Sequence, residues 1–65
     1  MQVKNQLGYI REQKGISQEQ LAWKSQVSRH TISEIELDKR EPTLKTALLL
    51  ARALDCTVED IFELK

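Results

Sequence analysis

The sequence contains very little cysteine, histidine, proline or glycine. One cysteine and one histidine in 65 residues exclude an internal disulfide and leave too few ligands for a zinc finger, so we expect neither a disulfide nor a metal. The longest apolar run, residues 47–51, is too short to cross a bilayer, and the N-terminus lacks the basic-then-apolar pattern of a signal peptide. We therefore expect a cytoplasmic protein with no membrane partner.

The chain also lacks net charge, because ten basic and ten acidic residues cancel. This balance argues against attachment to nucleic acid by bulk charge alone. The charges are unevenly distributed, however: residues 1–30 carry five basic and two acidic side chains, and residues 56–65 carry one basic and three acidic ones. The distribution is compatible with one surface that faces nucleic acid, and ordinary scatter of surface charge explains it equally well.

Apolar residues recur at three- and four-residue spacing among many good helix formers, which predicts one compact all-α domain over residues 1–65. Four hydroxyl residues are placed to cap helix N-termini: Ser17, Ser28, Thr43 and Thr57. The five predicted helices run from Asn5 to Lys14, Gln18 to Ser25, Arg29 to Leu37, Leu44 to Leu54 and Val58 to Glu63. Val3 and Leu64 are candidates for short terminal strands.

The fourth predicted helix is rich in leucine and alanine, and its periodicity selects one buried face. That face comprises Leu44, Ala47, Leu48, Ala51 and Leu54, with Leu50 at its edge and Leu49 partly exposed. A chain of this length buries only about 60% of its unfolded surface, so a dimer interface would naturally supplement its core.

Two short helices around the turn at residues 25–27 predict a helix-turn-helix unit over about residues 18–37. The positions that face inward in this geometry are suitably apolar or small: Leu21, Ala22, Val27, Ile32 and Ile35. The outward positions of the second helix of the unit are then left free for DNA: Arg29, His30, Ser33 and Glu34.

The segments that carry these patterns resemble the lambda repressor/Cro-type helix-turn-helix family. The resemblance runs through residues 15–22, 27–33, 35–36, 39–44, 50–54 and 58–62 in register, and so covers nearly the whole chain. It implies a five-helix DNA-binding domain that binds a palindromic operator as a homodimer and represses transcription. It implies neither catalysis nor a cofactor, no small-molecule effector is evident, and the family likeness suggests a bacterial or phage origin.

The resemblance also assigns roles to individual residues. Gln18 matches a glutamine that contacts phosphate and supports the first recognition residue, whereas Arg11 and Glu36 match a partly buried salt bridge between the first and third helices. The DNA contacts that the resemblance implies are Gln18, Arg29, His30, Ser33, Glu34, Lys39 and Arg40. Ser28 and Thr31 complete the predicted set of DNA contacts. The predicted dimer interface near the C-terminus comprises Leu49, Val58, Ile61 and Leu64.

Three positions depart from the family pattern. Gln26 stands where glycine is usual in the turn, and a left-handed backbone there would cost about 1 kcal/mol. Ser25 replaces an apolar residue, which predicts looser packing. Leu37 and Asp38 replace an asparagine-glycine pair, which puts one backbone contact with phosphate in doubt.

Several side chains allow two interpretations at this stage. Arg29 either contacts DNA or is solvated, and His30 either contacts DNA or pairs with Glu34 one helical turn away. Glu34 accepts a hydrogen bond from cytosine or orients a neighbouring basic group. Trp23 belongs either to an interface or to the partly buried core, while Cys56 is expected in the core.

The protein as a whole also has alternatives to a simple repressor. An antitoxin could combine the same DNA-binding domain with a toxin-binding surface, and an adaptor could use the fold to bind protein without reading DNA. An enzyme is not expected, because one histidine, one cysteine and surface carboxylates do not provide an acid, base and nucleophile set.

Overall fold

The computed structural model describes residues 2–65, which form five helices and a small terminal sheet. Helices α1 to α5 cover Leu7–Gln13, Gln18–Ser25, Arg29–Glu36, Leu44–Ala53 and Val58–Ile61. Strands β1 (Val3–Asn5) and β2 (Phe62–Leu64) pair antiparallel, with Val3 opposite Leu64. The predicted fold class, including the terminal strands, is confirmed.

Each predicted hydroxyl cap lies at a helix N-terminus. The side-chain oxygens of Ser17, Ser28, Thr43 and Thr57 accept hydrogen bonds of 3.0–3.1 Å from backbone amides three residues ahead. These bonds satisfy amides that have no partner within the helix. The first helix begins two residues later than predicted, because Asn5 belongs to β1 and its Oδ1 accepts from the Leu7 amide at 2.8 Å.

Four of the helices are followed, one or two residues after they end, by a residue with positive φ that reverses the chain. One is Gln26 (φ 62°) after α2, and the others are Gly15 (φ 73°), Asp38 (φ 59°) and Asp55 (φ 56°). After α3, for example, the Asp38 amide donates to the Ile35 carbonyl at 3.0 Å and the Lys39 amide donates to the Glu34 carbonyl at 2.9 Å. Aspartate adopts the left-handed region more readily than most residues, which suits the two turns that contain it.

The core takes at least one fully buried side chain from every helix. Its largest fully buried members are Leu7, Leu21, Ile32, Ile35, Leu50 and Ile61. Val27, Ala47, Ala51 and Leu54 are also buried. Because all five helices share this one apolar cluster, α3 cannot move far without disturbing the rest of the domain.

The buried face predicted for α4 is partly wrong. Leu44 and Leu48 are 76% and 53% exposed, respectively, whereas Leu50 is fully buried. The helix is apolar around much of its circumference, and its packing against α2 and α5 selects the face that carries Ala47 and Leu50. Periodicity alone cannot make that selection, and two leucines therefore remain on the surface.

The predicted end of α5 is also corrected. The helix stops at Ile61 rather than Glu63, because Phe62 adopts an extended conformation (φ −121°, ψ 126°) and pairs with Asn5. The Ile61 carbonyl accepts from the Gln6 amide at 2.8 Å. Hydrogen bonds to the N-terminal segment thus replace the last helical turn.

Cys56, which was predicted to lie in the core, packs against the core cluster but is only partly buried. Burial, with a smaller contribution from Asp60, raises the pKa of its thiol, so the reactive thiolate is disfavoured.

No helix within residues 2–65 combines the length and apolar character that crossing a bilayer requires.

Candidate nucleic-acid interface

The turn between α2 and α3 contains a residue in the left-handed conformation, although Gln26 stands where glycine is usual. Gln26 has φ 62° and ψ 25°, and its amide donates to the Ala22 carbonyl at 2.9 Å. Ser25 is only 3% exposed, and its Oγ accepts from the Val27 amide at 3.2 Å. The serine therefore stabilises the turn by a local hydrogen bond where an apolar side chain would pack.

Helix α3 is anchored on one side and open on the other. Ile32 and Ile35 are fully buried beneath it, whereas Arg29 and His30 are exposed and Ser33 is half-buried on its outer side. At its N-terminus, Ser28 Oγ accepts from the Thr31 amide at 3.1 Å and lies 2.8 Å from Thr31 Oγ1. The structure thus brings the predicted recognition residues onto one accessible face.

Arg11 and Glu36 form a bidentate ion pair between α1 and α3. Arg11 Nε lies 2.7 Å from Glu36 Oε2 and Nη2 lies 3.1 Å from Oε1, and the side chains are 13% and 12% exposed. The hydrogen bond to Glu36 is the main cause that raises the pKa of Arg11 above its ordinary value. A further bond of 2.8 Å from Nη1 to the Ile16 carbonyl ties the pair to the loop before α2.

The Glu36 carboxylate also accepts a hydrogen bond from Gln18. Gln18 Nε2 donates to Glu36 Oε1 at 3.0 Å, so the glutamine at the start of α2 is held by the recognition helix. Its contact with phosphate stays a prediction. Gly8 was missed by sequence reasoning: a Cβ at this position would lie 3.1 Å from Glu36 Oε1, so glycine leaves the space that the carboxylate occupies.

A second polar network covers the outer side of α3. Arg40 Nη2 lies 2.9 Å from Glu34 Oε1, and Arg40 Nη1 donates to Thr31 Oγ1 at 3.2 Å. His30 Nε2 lies 3.5 Å from the same Glu34 oxygen. The loop residue Arg40 therefore contacts the recognition helix, whereas its neighbour Lys39 is exposed. A contact of Lys39 with phosphate stays a prediction.

Asn5 is a further residue that sequence reasoning missed. Its side-chain amide donates to the Ile35 carbonyl and, at 3.4 Å, to Asp38 Oδ1. Strand β1 thereby holds the C-terminal end of α3 and the loop that follows it. The only signal in the sequence was an asparagine next to a candidate strand, which is too common to predict this contact.

Trp23 lies at the outer surface of α2 and is 79% exposed, so the alternative that placed it in the core is wrong. It borders a shallow groove that also includes Gln26, Ser28 and Arg29. The indole is therefore next to the N-terminal end of the recognition helix.

The predicted dimer residues differ widely in exposure. Leu64 is 68% exposed and Ile61 is fully buried in the monomer, while Leu49 and Val58 are half-buried against the core. Ile61 has no surface to offer a partner and supports this region from beneath. The exposed Leu44 and Leu48 lie beside Leu49 and Val58, and sequence reasoning had placed both in the core.

Comparison with known proteins agrees with this geometry. A family model described as helix-turn-helix matches residues 7–61. The chain is 45% identical over 60 residues to an uncharacterized HTH-type transcriptional regulator of Methanocaldococcus jannaschii, which covers 92% of this chain and 91% of the relative. It is 35% identical over 63 residues to the uncharacterized HTH-type transcriptional regulator YgzD of Bacillus subtilis, with 97% and 96% coverage.

A third relative, an uncharacterized HTH-type transcriptional regulator of Archaeoglobus fulgidus, is 40% identical over 53 residues and covers 82% of this chain and 76% of its own length. The chain belongs to the Cro-type helix-turn-helix family. The family and the exposed recognition helix together define a DNA-binding regulator of transcription.

Proposed function

We propose that the protein represses transcription by occupying a palindromic operator as a homodimer. The observation that supports this proposal is the presentation of α3, which is anchored by two fully buried isoleucines and carries Arg29 and His30 on its exposed side. An arginine in this position can donate two parallel hydrogen bonds to guanine or bind a phosphate. A dimer bound across a promoter would exclude polymerase.

A two-fold dimer is the arrangement that gives a single short recognition helix enough DNA to read. Two copies would place their α3 helices about 34 Å apart, so that each reads a half-site one helical turn from the other. The site then becomes a palindrome because the protein pair is symmetric. Specific affinity rises because two sets of contacts act on one duplex.

The surface that fits this pairing lies on α4 and α5, and we define it by Leu44, Leu48 and Val58, with Leu64 at its edge. Leu44, Leu48 and Leu64 are 53–76% exposed, and basic and acidic residues surround the patch. Lys45 and Arg52 lie beside Leu44 and Leu48, and Asp55 and Glu59 lie, together with Arg52, beside Leu48 and Val58. A two-fold pairing lets each basic edge meet the partner's acidic edge.

The required area is modest for a molecule of this size. A stable interface buries about 800 Å² on each partner, which is roughly a sixth of the 4620 Å² surface of one chain. Leucine side chains that are otherwise exposed supply the apolar centre, which is the part of an interface that contributes most to affinity.

The oligomeric state tests the dimer. We expect the wild type to sediment as a dimer at micromolar concentration and Leu48→Glu to sediment as a monomer, since a charged side chain would have to be desolvated at the apolar centre of the interface. Leu37→Glu is the matched control, because Leu37 is 62% exposed but lies at the end of α3, away from this surface. A monomeric wild type, or equal behaviour of the two variants, would contradict the proposed interface.

Selection of bound sequences from a random duplex pool tests the DNA function. We expect an inverted repeat with nanomolar affinity that weakens steeply as salt increases. Arg29→Ala should reduce affinity by about 10- to 100-fold, the loss expected for a bidentate contact, and His30→Ala should also reduce it. Lys14→Ala is the matched control, because it removes the same charge at the end of α1; equal affinities for all variants would refute the recognition role of α3.

The exposed Trp23 and Leu37 (79% and 62%) favour a second candidate, an antitoxin whose DNA-binding domain also holds a toxin. Both residues lie outside the proposed dimer surface. A toxin gene next to this one, with a product that forms a defined complex with the purified chain and loses it in Trp23→Ala, would favour the antitoxin. Binding to that protein with no preference among duplexes would instead indicate an adaptor.

A further inference from the structure

Glu34 is the acidic residue on the DNA-facing side of α3, and its carboxylate is already engaged. Its side chain is 28% exposed, and Oε1 lies 2.9 Å from Arg40 Nη2 in an ion pair. This oxygen has almost no solvent-accessible surface and accepts no hydrogen bond within residues 2–65. The same guanidinium reaches Thr31 Oγ1 through Nη1 at 3.2 Å. Arg40 thus bridges Thr31 and Glu34, which lie one turn apart on one face of the helix.

We infer that Glu34 is a positioning residue that fixes Arg40 as part of the DNA-reading surface and does not itself read a base. The inference rests on the proposed function and assigns one of its specificity determinants. An unpaired carboxylate facing phosphates would weaken binding by like-charge repulsion. A carboxylate paired with Arg40 avoids most of that repulsion and supplies the opposite charge that orients the guanidinium.

The geometry leaves Arg40 able to contact DNA. A guanidinium has five N–H groups in a planar fork; Nη1 donates one of them to Thr31, and Nη2 faces Glu34 in the ion pair. The side chain is still 46% exposed. The remaining donors are held in one orientation beside the first turn of α3, so they can be directed at a base edge or one phosphate oxygen at low entropic cost.

The loop that carries Arg40 is also fixed from the other side. The backbone turns at Asp38, where φ is 59°, and the side chain of Asn5 bonds this loop to β1. Contacts therefore fix both the backbone of the loop that carries Arg40 and the orientation of its guanidinium. His30 competes for the same Glu34 oxygen only at 3.5 Å and is 79% exposed, so it stays free to meet the duplex.

Charge compensation by Glu34 has a measurable consequence for specificity. A free cation binds any phosphate, and each such contact steepens the dependence of affinity on salt. An arginine neutralised by a carboxylate gains less from undirected attraction and more from well-aligned hydrogen bonds. The pair should therefore increase the ratio of operator affinity to random-duplex affinity. A measurement of this ratio distinguishes a positioning role of Glu34 from direct reading of a base.

The test is a double-mutant cycle on this ratio, with wild type, Glu34→Ala, Arg40→Ala and the double variant measured on the selected operator and on a random duplex of equal length. We expect Glu34→Ala to lower the ratio about tenfold when Arg40 is present and less than about twofold in the Arg40→Ala background. Circular dichroism should show that all four fold alike, because the pair lies at the surface.

Conservative variants distinguish positioning from direct reading. Glu34→Gln should lower the ratio, because a neutral amide does not compensate the charge of Arg40, and Arg40→Lys should lower it as well, because an ammonium lacks the planar fork. Selection with Glu34→Ala and with Arg40→Ala should relax the same base positions.

Equal effects of Glu34→Ala in both backgrounds, or a new base preference in Glu34→Gln that Arg40→Ala does not share, would overturn the inference and assign direct reading to Glu34. Failure of the wild type to select any sequence would overturn the proposed function and the inference with it. If Arg29→Ala reduces operator affinity as expected but the Glu34 and Arg40 losses simply add, only the inference fails.

Discussion

Removing one partner of the ion pair between Arg11 and Glu36 should destabilise the protein strongly. In Glu36→Ala the guanidinium loses contacts of 2.7 and 3.1 Å and keeps the Ile16 carbonyl and the exposed Glu12, whose Oε2 is 3.9 Å away. Gln18 Nε2 loses its acceptor as well. Breaking a buried pair costs about 3–5 kcal/mol, and since the two side chains are 13% and 12% exposed we expect about 3 kcal/mol.

Urea and thermal unfolding followed by far-ultraviolet circular dichroism would measure this loss. A domain of this size loses about 4–8 °C in Tm for each kcal/mol, so Glu36→Ala should melt about 12–24 °C below wild type. Glu12→Ala is the matched control, because it removes a neighbouring carboxylate that is 72% exposed and should change stability by less than about 0.5 kcal/mol. All variants are compared at one protein concentration, because dimerisation shifts apparent stability.

The double variant Arg11→Met/Glu36→Leu gives the refuting result. Apolar side chains of similar size need no partner, so this variant should be more stable than Glu36→Ala alone. The single variants Arg11→Met and Glu36→Leu are measured beside it. A double variant that loses as much stability as these two single variants lose together would refute the argument that an uncompensated buried charge causes the destabilisation. Equal melting of Glu36→Ala and Glu12→Ala would refute the claim that burial matters at all.

Three smaller predictions concern other parts of the domain. Gln26→Gly should raise the free energy of unfolding in urea by about 0.5–1 kcal/mol, because φ is 62° and glycine adopts that region without strain; an unchanged value would contradict strain at the turn. The backbone amide of Thr57 lowers the pKa of Asp60, so its stabilisation should be present above the ordinary aspartate pKa of about 3.9 and lost as pH falls through the lower folded value. Urea unfolding of wild type and Asp60→Ala across acidic pH measures that loss, and a constant difference would contradict it. Fluorescence of Trp23, 79% exposed, should shift little on unfolding, whereas a large red shift would show that the indole is buried.

Local rules were sufficient for much of this fold because the relevant interactions lie within a few residues of each other. The four hydroxyl caps accept from amides three residues ahead, so a short sequence window contains both partners. The same holds for the turn at Gln26, where the strain expected from a missing glycine is present as φ 62°. The pairing of Arg11 with Glu36 spans 25 positions, and only family resemblance made it predictable.

Tertiary packing decided what periodicity left ambiguous. Helix α4 is apolar on several faces, so the packing of α2 and α5 determined that Leu50 is buried and that Leu44 and Leu48 are exposed. The contacts of Asn5 with the end of α3, and of Arg40 with Glu34, join segments that no local pattern relates. By itself, the sequence determined that a recognition helix begins after Ser28; the tertiary structure decided which side chains hold that helix in place, because those contacts exist only once distant segments meet in the folded chain.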